Sequence, residues 1–377
     1  MHLRRALVLG LAGLVAAQSG TPDLITALQS QNSSLSLLIG INTTGLSSQL
    51  SQLSNVTLLA PSNTAITKIL NSPMAGELSQ PGILQLALSY HILNGTYYAS
   101  NFTNNTPMFI PTHLTNSSFS LVTGSQRVEI LAQNGNVTAY SALRLPSNFV
   151  TTNVNFTGGT IHIIDSLLTV PTNVSYTLRA SNLTAAVGAV QAAGLNTTLD
   201  TTRNLTIFAP SNDAFNAVGS IFNNISMQTL AQGLEYHVYE GLGYSSTLTN
   251  TTVKTLSGGS LNITVINGTV FANNAKVTIA DILVRNGVVH VIDQVLNPNA
   301  TGSNPQLSAS TTTPAWTSAS AGTAGVPFTS GIAAPSTTVP AASTSATSTK
   351  SNPAMAVKTG AVGAAALFGG AAVMMNL

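Results

Sequence analysis

Four of the six histidines in this sequence recur at matched places, and histidine is the side chain best suited to acid–base chemistry near neutral pH. His162 is followed three residues later by Asp165, and His290 is followed at the same spacing by Asp293. In a hydrolase, such an aspartate could orient and polarise the histidine. Both pairs lie in β-branched segments that predict strands, where positions i and i+3 face opposite sides. We therefore expect no direct contact within either pair.

A hydrolase of this kind also needs an exposed nucleophile, for which Ser62 and Ser211 are the candidates. Each stands in an Ala-Pro-Ser-Asn turn, which lacks the Gly-x-Ser-x-Gly elbow that presents a catalytic serine. A metal site has little support, because no two histidines have the i, i+4 spacing of one helix face and the chain has no cysteine. A hydrolase that uses a His/Asp pair is thus a remote alternative, and we expect no cofactor and no metal.

These polar residues belong to three segments that occur twice in the same order. VTLLAPSNTAI (56–66) returns as LTIFAPSNDAF (205–215), a Tyr-His pair follows in each copy, and GTIHIID (159–165) returns as GVVHVID (287–293). The spacing indicates a duplicated domain and not a solenoid, whose units are about 20–50 residues long. We interpret the repeated residues as structural framework, with the Tyr-His pairs bonding backbone groups where helix meets sheet. They are Pro61, Ser62, Asn63, Tyr90, His91, His162, Asp165, Pro210, Ser211, Asn212, Tyr236, His237, His290 and Asp293.

Local patterns predict the elements that position these residues. Apolar spacing predicts helices over 24–28 and 183–193, and LTIFAP predicts a buried strand ending at a turn where Ser211 or Asn212 can cap a helix. Asn267-Gly268 predicts a tight hairpin, and VVHVID predicts a closing strand. Because helices come first and strands later within each copy, we expect an α+β fold.

Composition divides the chain into five parts. They are a signal peptide (1–17), a first domain (20–171), a second domain (172–300), a stalk (301–351) and a terminal signal (352–377). The stalk has 23 Ser or Thr residues and five prolines among its 51 residues. Such a tract cannot bury a core, which indicates a disordered, extended and O-glycosylated segment.

Both ends carry patterns of processing signals. Two arginines, a short apolar run and Val15-Ala16-Ala17 are typical of a cleaved secretory signal, the alternative being an uncleaved anchor. Residues 359–377 are uncharged and apolar, which favours glycolipid (GPI) attachment at Ser351 or Asn352 over a retained membrane helix. We expect the chain at the outer face of the plasma membrane, in the cell wall, or both.

Charge and cysteine content exclude several classes of function. Removing both signals leaves nine basic residues against ten acidic ones, so the formal charge of +2 is no argument for a nucleic-acid partner. The absence of cysteine excludes a disulfide framework and thiol chemistry. Each domain is long enough to bury a core without such crosslinks.

Only 6% of the residues are charged, so another polar surface is needed. The Asn-x-Ser/Thr acceptor pattern occurs 18 times, which predicts a heavily N-glycosylated surface. The candidates are Asn32, Asn42, Asn55, Asn94, Asn101, Asn104, Asn116, Asn136, Asn155, Asn173, Asn182, Asn196, Asn204, Asn224, Asn250, Asn262, Asn267 and Asn299.

The three repeated segments resemble the fasciclin-like (FAS1) domain family, in tandem over nearly all of residues 20–300. The second copy fits better, since the first has Thr64 and Ile66 where the second has Asp213 and Phe215. The first also has 71 residues from the Tyr-His pair to the final histidine, against 53, which predicts an inserted surface loop. The resemblance implies a β-sandwich-like wedge with packed helices in each domain. It also implies that the chain is a surface protein of a walled eukaryote, a fungus in particular.

The resemblance also implies a non-enzymatic role in adhesion or in matrix or wall organisation. In animal members an Asp-Ile dipeptide before the last strand takes part in integrin binding, and Asp281-Ile282 stands at that place in the second copy. Asp281 could equally cap a turn. We expect a surface or matrix/wall protein or glycan as partner, with weak self-association left open, and a contact surface where the copies differ. A structural wall glycoprotein without a specific ligand is the alternative.

Overall fold

Each domain is organised around the buried strand that its first repeated segment forms. The structure is a computed structural model and describes residues 20–31, 52–72, 75–78, 82–103, 105–300, 305, 314–323, 325–333 and 335. The signal peptide, Asn32, Asn42, Asn104, most of the predicted stalk, and the attachment residues Ser351 and Asn352 lie outside the described residues.

In both domains the helices lie mainly in the first part of the chain and the strands mainly in the second, in a similar order. The first domain contains α1 (Leu24–Gln29), β1 (Val56–Pro61), α2 (Asn63–Leu70), α3 (Ala75–Leu78), α4 (Ile83–His91), β2 (Ile92–Asn94), β3 (Met108–Pro111), β4 (Arg127–Gln133), β5 (Asn136–Tyr140), β6 (Pro146–Phe156) and β7 (Gly159–Ile164). The second contains α5 (Val174–Ala180), α6 (Thr184–Ala192), α7 (Asn196–Thr201), β8 (Leu205–Pro210), α8 (Asn212–Ala217), α9 (Met227–Glu235), β9 (Val238–Glu240), β10 (Thr251–Lys254), β11 (Ser260–Ile266), β12 (Thr269–Ala272), β13 (Ala275–Val284) and β14 (Gly287–Ile292).

The described strands of each domain form one seven-stranded sheet, in the order β2-β1-β7-β6-β5-β4-β3 and β10-β11-β12-β13-β14-β8-β9. The strand from the first repeated segment pairs in parallel with the strand from the last, β1 with β7 and β8 with β14. The other pairs are antiparallel. A bridge from Leu93 to Thr112, and one from Tyr239 to Thr255, brings the two edges of each sheet together.

The predicted α+β class is confirmed, and the sequence patterns explain it. All residues of β1 and β8 are buried, as continuous apolar runs are when a strand is covered on both faces. Asn267 and Gly268 have positive φ angles of 49° and 78°, and they turn β11 into β12 as predicted. Apolar side chains fill the inside of each curled sheet, and a further cluster lies between sheet and helices.

Part of the predicted stalk differs from the expectation. Residues 314–323 and 325–333, here called the C-terminal strap, lie against the second domain. Trp316 donates from its indole N–H to the carbonyl oxygen of Val295 at 3.0 Å, and the Phe328 ring meets the Phe222 ring edge-on with centroids 5.1 Å apart. The average composition of the tract hid these few large apolar side chains, which are enough to hold the strap on an apolar surface.

The strap needs a close backbone approach. A side chain at Gly188 in α6 would overlap the carbonyl oxygen of Phe328, so glycine is required there. Within the described ranges, no helix combines the length and apolar character needed to cross a bilayer.

Candidate functional site

The repeated His and Asp residues do not form a catalytic pair. His290 donates from Nε2 to the carbonyl oxygen of Gly243 at 2.7 Å, and its Nδ1 accepts the backbone N–H of Asp281 at 3.3 Å. His162 makes the same two kinds of contact in the first domain, at 2.8 and 3.3 Å. Both rings are buried, which lowers the pKa of each imidazole and keeps it neutral.

The aspartates three residues later tie together neighbouring segments of the sheet. Asp293 accepts the backbone N–H of Lys276 at 2.7 Å, and its own N–H bonds the carbonyl oxygen of Lys276. Asp165 accepts both the backbone and the side-chain N–H of Asn148 at 2.8 Å. Each carboxylate therefore bonds the strand that flanks the closing strand, and not the histidine that precedes it.

The histidines of the Tyr-His pairs join the end of a helix to the segment after the last strand. His237 donates from Nδ1 to the carbonyl oxygen of Gly233 at 2.7 Å, and its Nε2 accepts the N–H of Leu296 at 2.9 Å. His91 makes the equivalent contacts at the same two distances. Only the neutral ring with its proton on Nδ1 satisfies both partners. Burial lowers the pKa of His91 and of His237 to about 4.

The adjacent tyrosines connect the same helices to the sheet. Tyr90 donates to the carbonyl oxygen of Arg127 at 2.9 Å, and Tyr236 donates to that of Ser260 at 2.7 Å. Arg127 is the first residue of β4, which follows β3, and Ser260 is the first residue of β11, which follows β10. The two pairs thus hold helix and sheet in one arrangement in both domains.

The Pro-Ser-Asn turns begin helices. The Oγ of Ser62 accepts the N–H of Ala65 at 3.2 Å, and that of Ser211 accepts the N–H of Ala214 at 3.1 Å, which is N-capping geometry. A serine used in this way is not presented as a nucleophile. The remaining repeated residues flank it: Pro61 and Pro210 end β1 and β8, and Asn63 and Asn212 begin α2 and α8.

Asp281 and Ile282, the predicted adhesion contact, lie in the interior. Their exposed fractions are 2% and 0%, so neither side chain is accessible to a partner in this structure. Asp281 occupies an irregular position in β13 with φ at 63°, and its carboxylate accepts the N–H of Ser245 at 2.8 Å. These contacts correspond to the capping alternative.

The first domain has a counterpart that sequence comparison overlooked. Asn153 has φ at 62° at the matching irregularity in β6, and its side-chain oxygen accepts the N–H of Ala99 at 2.9 Å. Its backbone N–H bonds His162 just as that of Asp281 bonds His290. The Asp-Ile position is therefore part of the framework of both domains.

The longer loop of the first domain, which holds ten of its 18 extra residues, lies at the junction between the domains. Residues 112–126, here called the docking loop, connect β3 to β4, where the second domain has only residues 255–259. The N–H of Leu121 donates to the carbonyl oxygen of Arg285 at 2.8 Å, and Gln126 donates from Nε2 to those of Val284 and Arg285 at 3.2 and 3.3 Å. The loop thus contacts the other copy of the domain.

A buried contact between an arginine and a glutamate lies beside this junction. Arg144 bonds the carboxylate of Glu129 through Nη1 at 3.0 Å and Nη2 at 3.4 Å, and it reaches the carbonyl oxygen of Ala280 at 2.8 Å. Burial raises the pKa of Glu129 to about 8; the charge of Arg144 opposes the rise and that of Asp281 adds to it. Sequence reasoning missed both residues, although a glutamate inside an apolar strand of so weakly charged a chain is a signal.

Aromatic contact and a cavity complete the junction. The rings of Phe109 and Tyr244 stack across it, with centroids 4.2 Å apart and planes at 12°. A cavity of about 350 Å³ opens between the domains next to Glu129 and Arg144. Among the described residues, no three His, Asp or Glu side chains are grouped as a metal ion would require.

The described sequons lie at the surface. Twelve of the fifteen asparagines are exposed, and the other three, Asn173, Asn196 and Asn204, are half-buried. A large oligosaccharide needs such access.

Comparisons with known proteins agree with the duplicated architecture. The sequence profile of the fasciclin domain matches residues 33–171 and 181–298. A fasciclin-like arabinogalactan protein of Arthroderma benhamiae is 34% identical over 77% of this chain and 70% of its own length. The fasciclin-like arabinogalactan protein elcF of Phaeosphaeria nodorum is 24% identical over 73% of this chain and 86% of its own. A solved FAS1 domain pair from the insect cell adhesion molecule fasciclin I covers 72% of this chain and 95% of its own, with 20% identity and a TM-score of 0.34.

Proposed function

The chain belongs to the fasciclin family, and from that premise we propose that it is a non-enzymatic cell-surface glycoprotein acting in adhesion or in the organisation of the cell surface, matrix or wall. Fungal relatives carry the name fasciclin-like arabinogalactan protein, which supports an extracellular, glycosylated protein. Its partner is a surface or matrix/wall protein or glycan, and a lipid anchor ties it to the membrane.

One observation carries the proposal: the polar residues that the two domains share are bonded to backbone. The repeated histidines use both ring nitrogens to hold helix, loop and strand together. Residues committed in this way support a fold and leave recognition to the outer surface. The docking loop is also engaged within the molecule, since Gln126 bonds the second domain. The Asp281 carboxylate is likewise engaged, because it accepts the N–H of Ser245.

The remaining surface offers a few places for a protein contact. Leu70, Val150 and Met227 are large apolar side chains with exposed fractions of 60%, 61% and 63%. Leu70 and Val150 belong to the first domain and Met227 to the second, so single Asp substitutions assign a contact to one domain.

Binding to cells distinguishes adhesion from the alternative of a structural wall glycoprotein without a ligand. Beads coated with residues 20–335, which include the C-terminal strap, are tested for clumping and for attachment to walls and to host cells. Adhesion predicts attachment in at least one test, and L70D, V150D and M227D then locate it. Beads that neither clump nor attach favour the structural alternative.

The anchor has its own test. Phosphatidylinositol-specific phospholipase C should release the chain from intact cells, because the proposed link to the membrane is a glycolipid. Retention of the chain, with a known GPI-anchored protein released in the same tube, would count against this part of the proposal.

A further inference from the structure

Two glycosylation acceptors occupy the same place in the two domains. Asn55 and Asn204 each stand directly before the central strand, β1 or β8, with φ at 54°. In each sequon the threonine hydroxyl is used inside its own domain, Thr57 donating to the oxygen of Gly95 and Thr206 to that of Gly241. The two asparagines thus have the same backbone conformation and equivalent neighbouring hydrogen bonds in their sequons.

Their surroundings differ because only one of them faces the other domain. Asn55 is exposed, and its side-chain oxygen accepts the N–H of Thr96 at 3.1 Å. Asn204 is half-buried, and its side chain makes two bonds to Thr123 in the docking loop. Its Oδ1 accepts the backbone N–H of Thr123 and its Nδ2 donates to the Thr123 hydroxyl, both at 2.8 Å. This pair of bonds is called the Asn204 clasp below.

The clasp uses one edge of the carboxamide. Because the two Thr123 atoms belong to a single residue, they lie close together and must meet the edge on which Oδ1 and one N–H are neighbours. The hydrogen that reaches the Thr123 hydroxyl is therefore the one on the same side as Oδ1.

A sugar would take the place of that hydrogen. N-glycosylation joins the anomeric carbon to Nδ2 and makes a secondary amide, which strongly prefers the trans form. In the trans form the substituent lies on the same side as the oxygen, and the remaining N–H points away from it. The sugar would then stand where the Thr123 hydroxyl lies.

We propose that glycosylation of Asn204 and the Asn204 clasp exclude each other, so that this sequon is a modification site that determines how firmly the docking loop is held on the second domain. The inference goes beyond the proposed adhesive role and holds whatever the partner is. Asn55 provides the internal comparison, because Thr96 bonds only its oxygen and a sugar on Nδ2 leaves that bond in place.

The test measures sugar and clasp on the same molecules. The full chain is purified from a glycosylating eukaryotic host, and glycopeptide mass spectrometry gives the occupancy of Asn55 and Asn204. Hydrogen exchange resolved to single amides then follows Thr123, whose N–H donates to Asn204, and Thr96, whose N–H donates to Asn55. Loss of the clasp should speed exchange of the Thr123 amide about tenfold or more, the effect of removing one hydrogen bond.

Each result decides for or against the proposal. An unoccupied Asn204 with a protected Thr123 amide, or an occupied Asn204 with a fast one, supports it, as do two exchange populations whose ratio matches a partial occupancy. A protected Thr123 amide in chains that carry the sugar at Asn204 overturns it, and so does a fast one in chains without the sugar. N55Q is the control, because it removes the corresponding sequon of the first domain, whose asparagine bonds Thr96 and not the docking loop. It should leave the exchange rate of the Thr123 amide unchanged.

Discussion

Acid is expected to destabilise the second domain through His237, and the size of the effect follows from the pKa of this histidine in the unfolded and folded chain. In the unfolded chain the pKa of a histidine is about 6.5, and in the folded domain burial lowers that of His237 to about 4. The folded state therefore takes up the proton less readily than the unfolded one. The stabilisation is fully present above pH 6.5 and is lost as the pH falls toward 4.

The loss is large enough to measure. From these two pKa values, the free energy of unfolding falls by about 2 kcal/mol between pH 7 and pH 5, and by about 3 kcal/mol at pH 4. The physical cause is that a proton on Nε2 faces the N–H of Leu296, which then has no acceptor. The loss adds to that from His290, whose pKa burial also lowers.

The native chain carries the probe for this experiment. Trp316 is the only tryptophan and packs on the second domain, so its fluorescence during urea unfolding follows that domain. Titrations at pH 7, 6 and 5 are compared for the native chain and for H237Q. The variant loses the bond to Gly233, which costs about 1–3 kcal/mol at pH 7, but its stability should fall less with acid.

The difference between the two pH slopes isolates His237, because every other titrating group is common to both proteins. H91Q, the same change in the first domain, should leave the slope detected by Trp316 nearly unchanged. If the free energy of unfolding of the native chain and that of H237Q fall equally between pH 7 and pH 5, acid does not act through the hydrogen bonds of His237, and the reasoning is refuted.

Three further predictions follow from the junction and the strap. Because burial raises the pKa of Glu129 to about 8, its contribution to stability is lost as the pH rises from the unfolded value of about 4.3 through about 8. E129Q has no such proton to lose, so its urea midpoint should fall less between pH 7 and pH 9 than that of the native chain, an equal fall being contrary evidence. F328S should detach the strap and shift the emission of Trp316 to longer wavelength, with S330A as the exposed neighbouring control; an unshifted spectrum would show that the ring does not hold the strap. G188A should cause a similar shift, because its methyl group would overlap the Phe328 carbonyl oxygen, and native-like emission with native stability would contradict that contact.

Local patterns were sufficient where the structural cause is local. The hairpin at Asn267-Gly268 follows from two residues that tolerate positive φ. A cap at Ser211 or Asn212 follows from short polar side chains next to unpaired amides at a helix start, and the Ser211 hydroxyl is the one that accepts the N–H of Ala214. The strand alternation around His290 and Asp293 correctly set the two side chains to different partners.

Long-range contacts were not accessible in the same way. Nothing near Asp281 in the sequence shows that its side chain is buried and caps the loop at Ser245. The inserted loop was expected at the surface, and its length gave no sign that Gln126 would bond the second domain. The stalk composition likewise concealed Phe328, because an average over many residues does not register one well-placed ring.

By itself, the sequence determined that one domain occurs twice, which class of fold it has, and which polar residues recur as framework, because repetition and local periodicity survive without knowledge of contacts. Only the tertiary structure decided that the places where the copies differ are occupied within the molecule. The docking loop lies on the second domain, and the Asp281 side chain is buried in the interior of that domain. Such contacts join residues far apart in the chain, and their energies depend on burial and distance that no local pattern encodes.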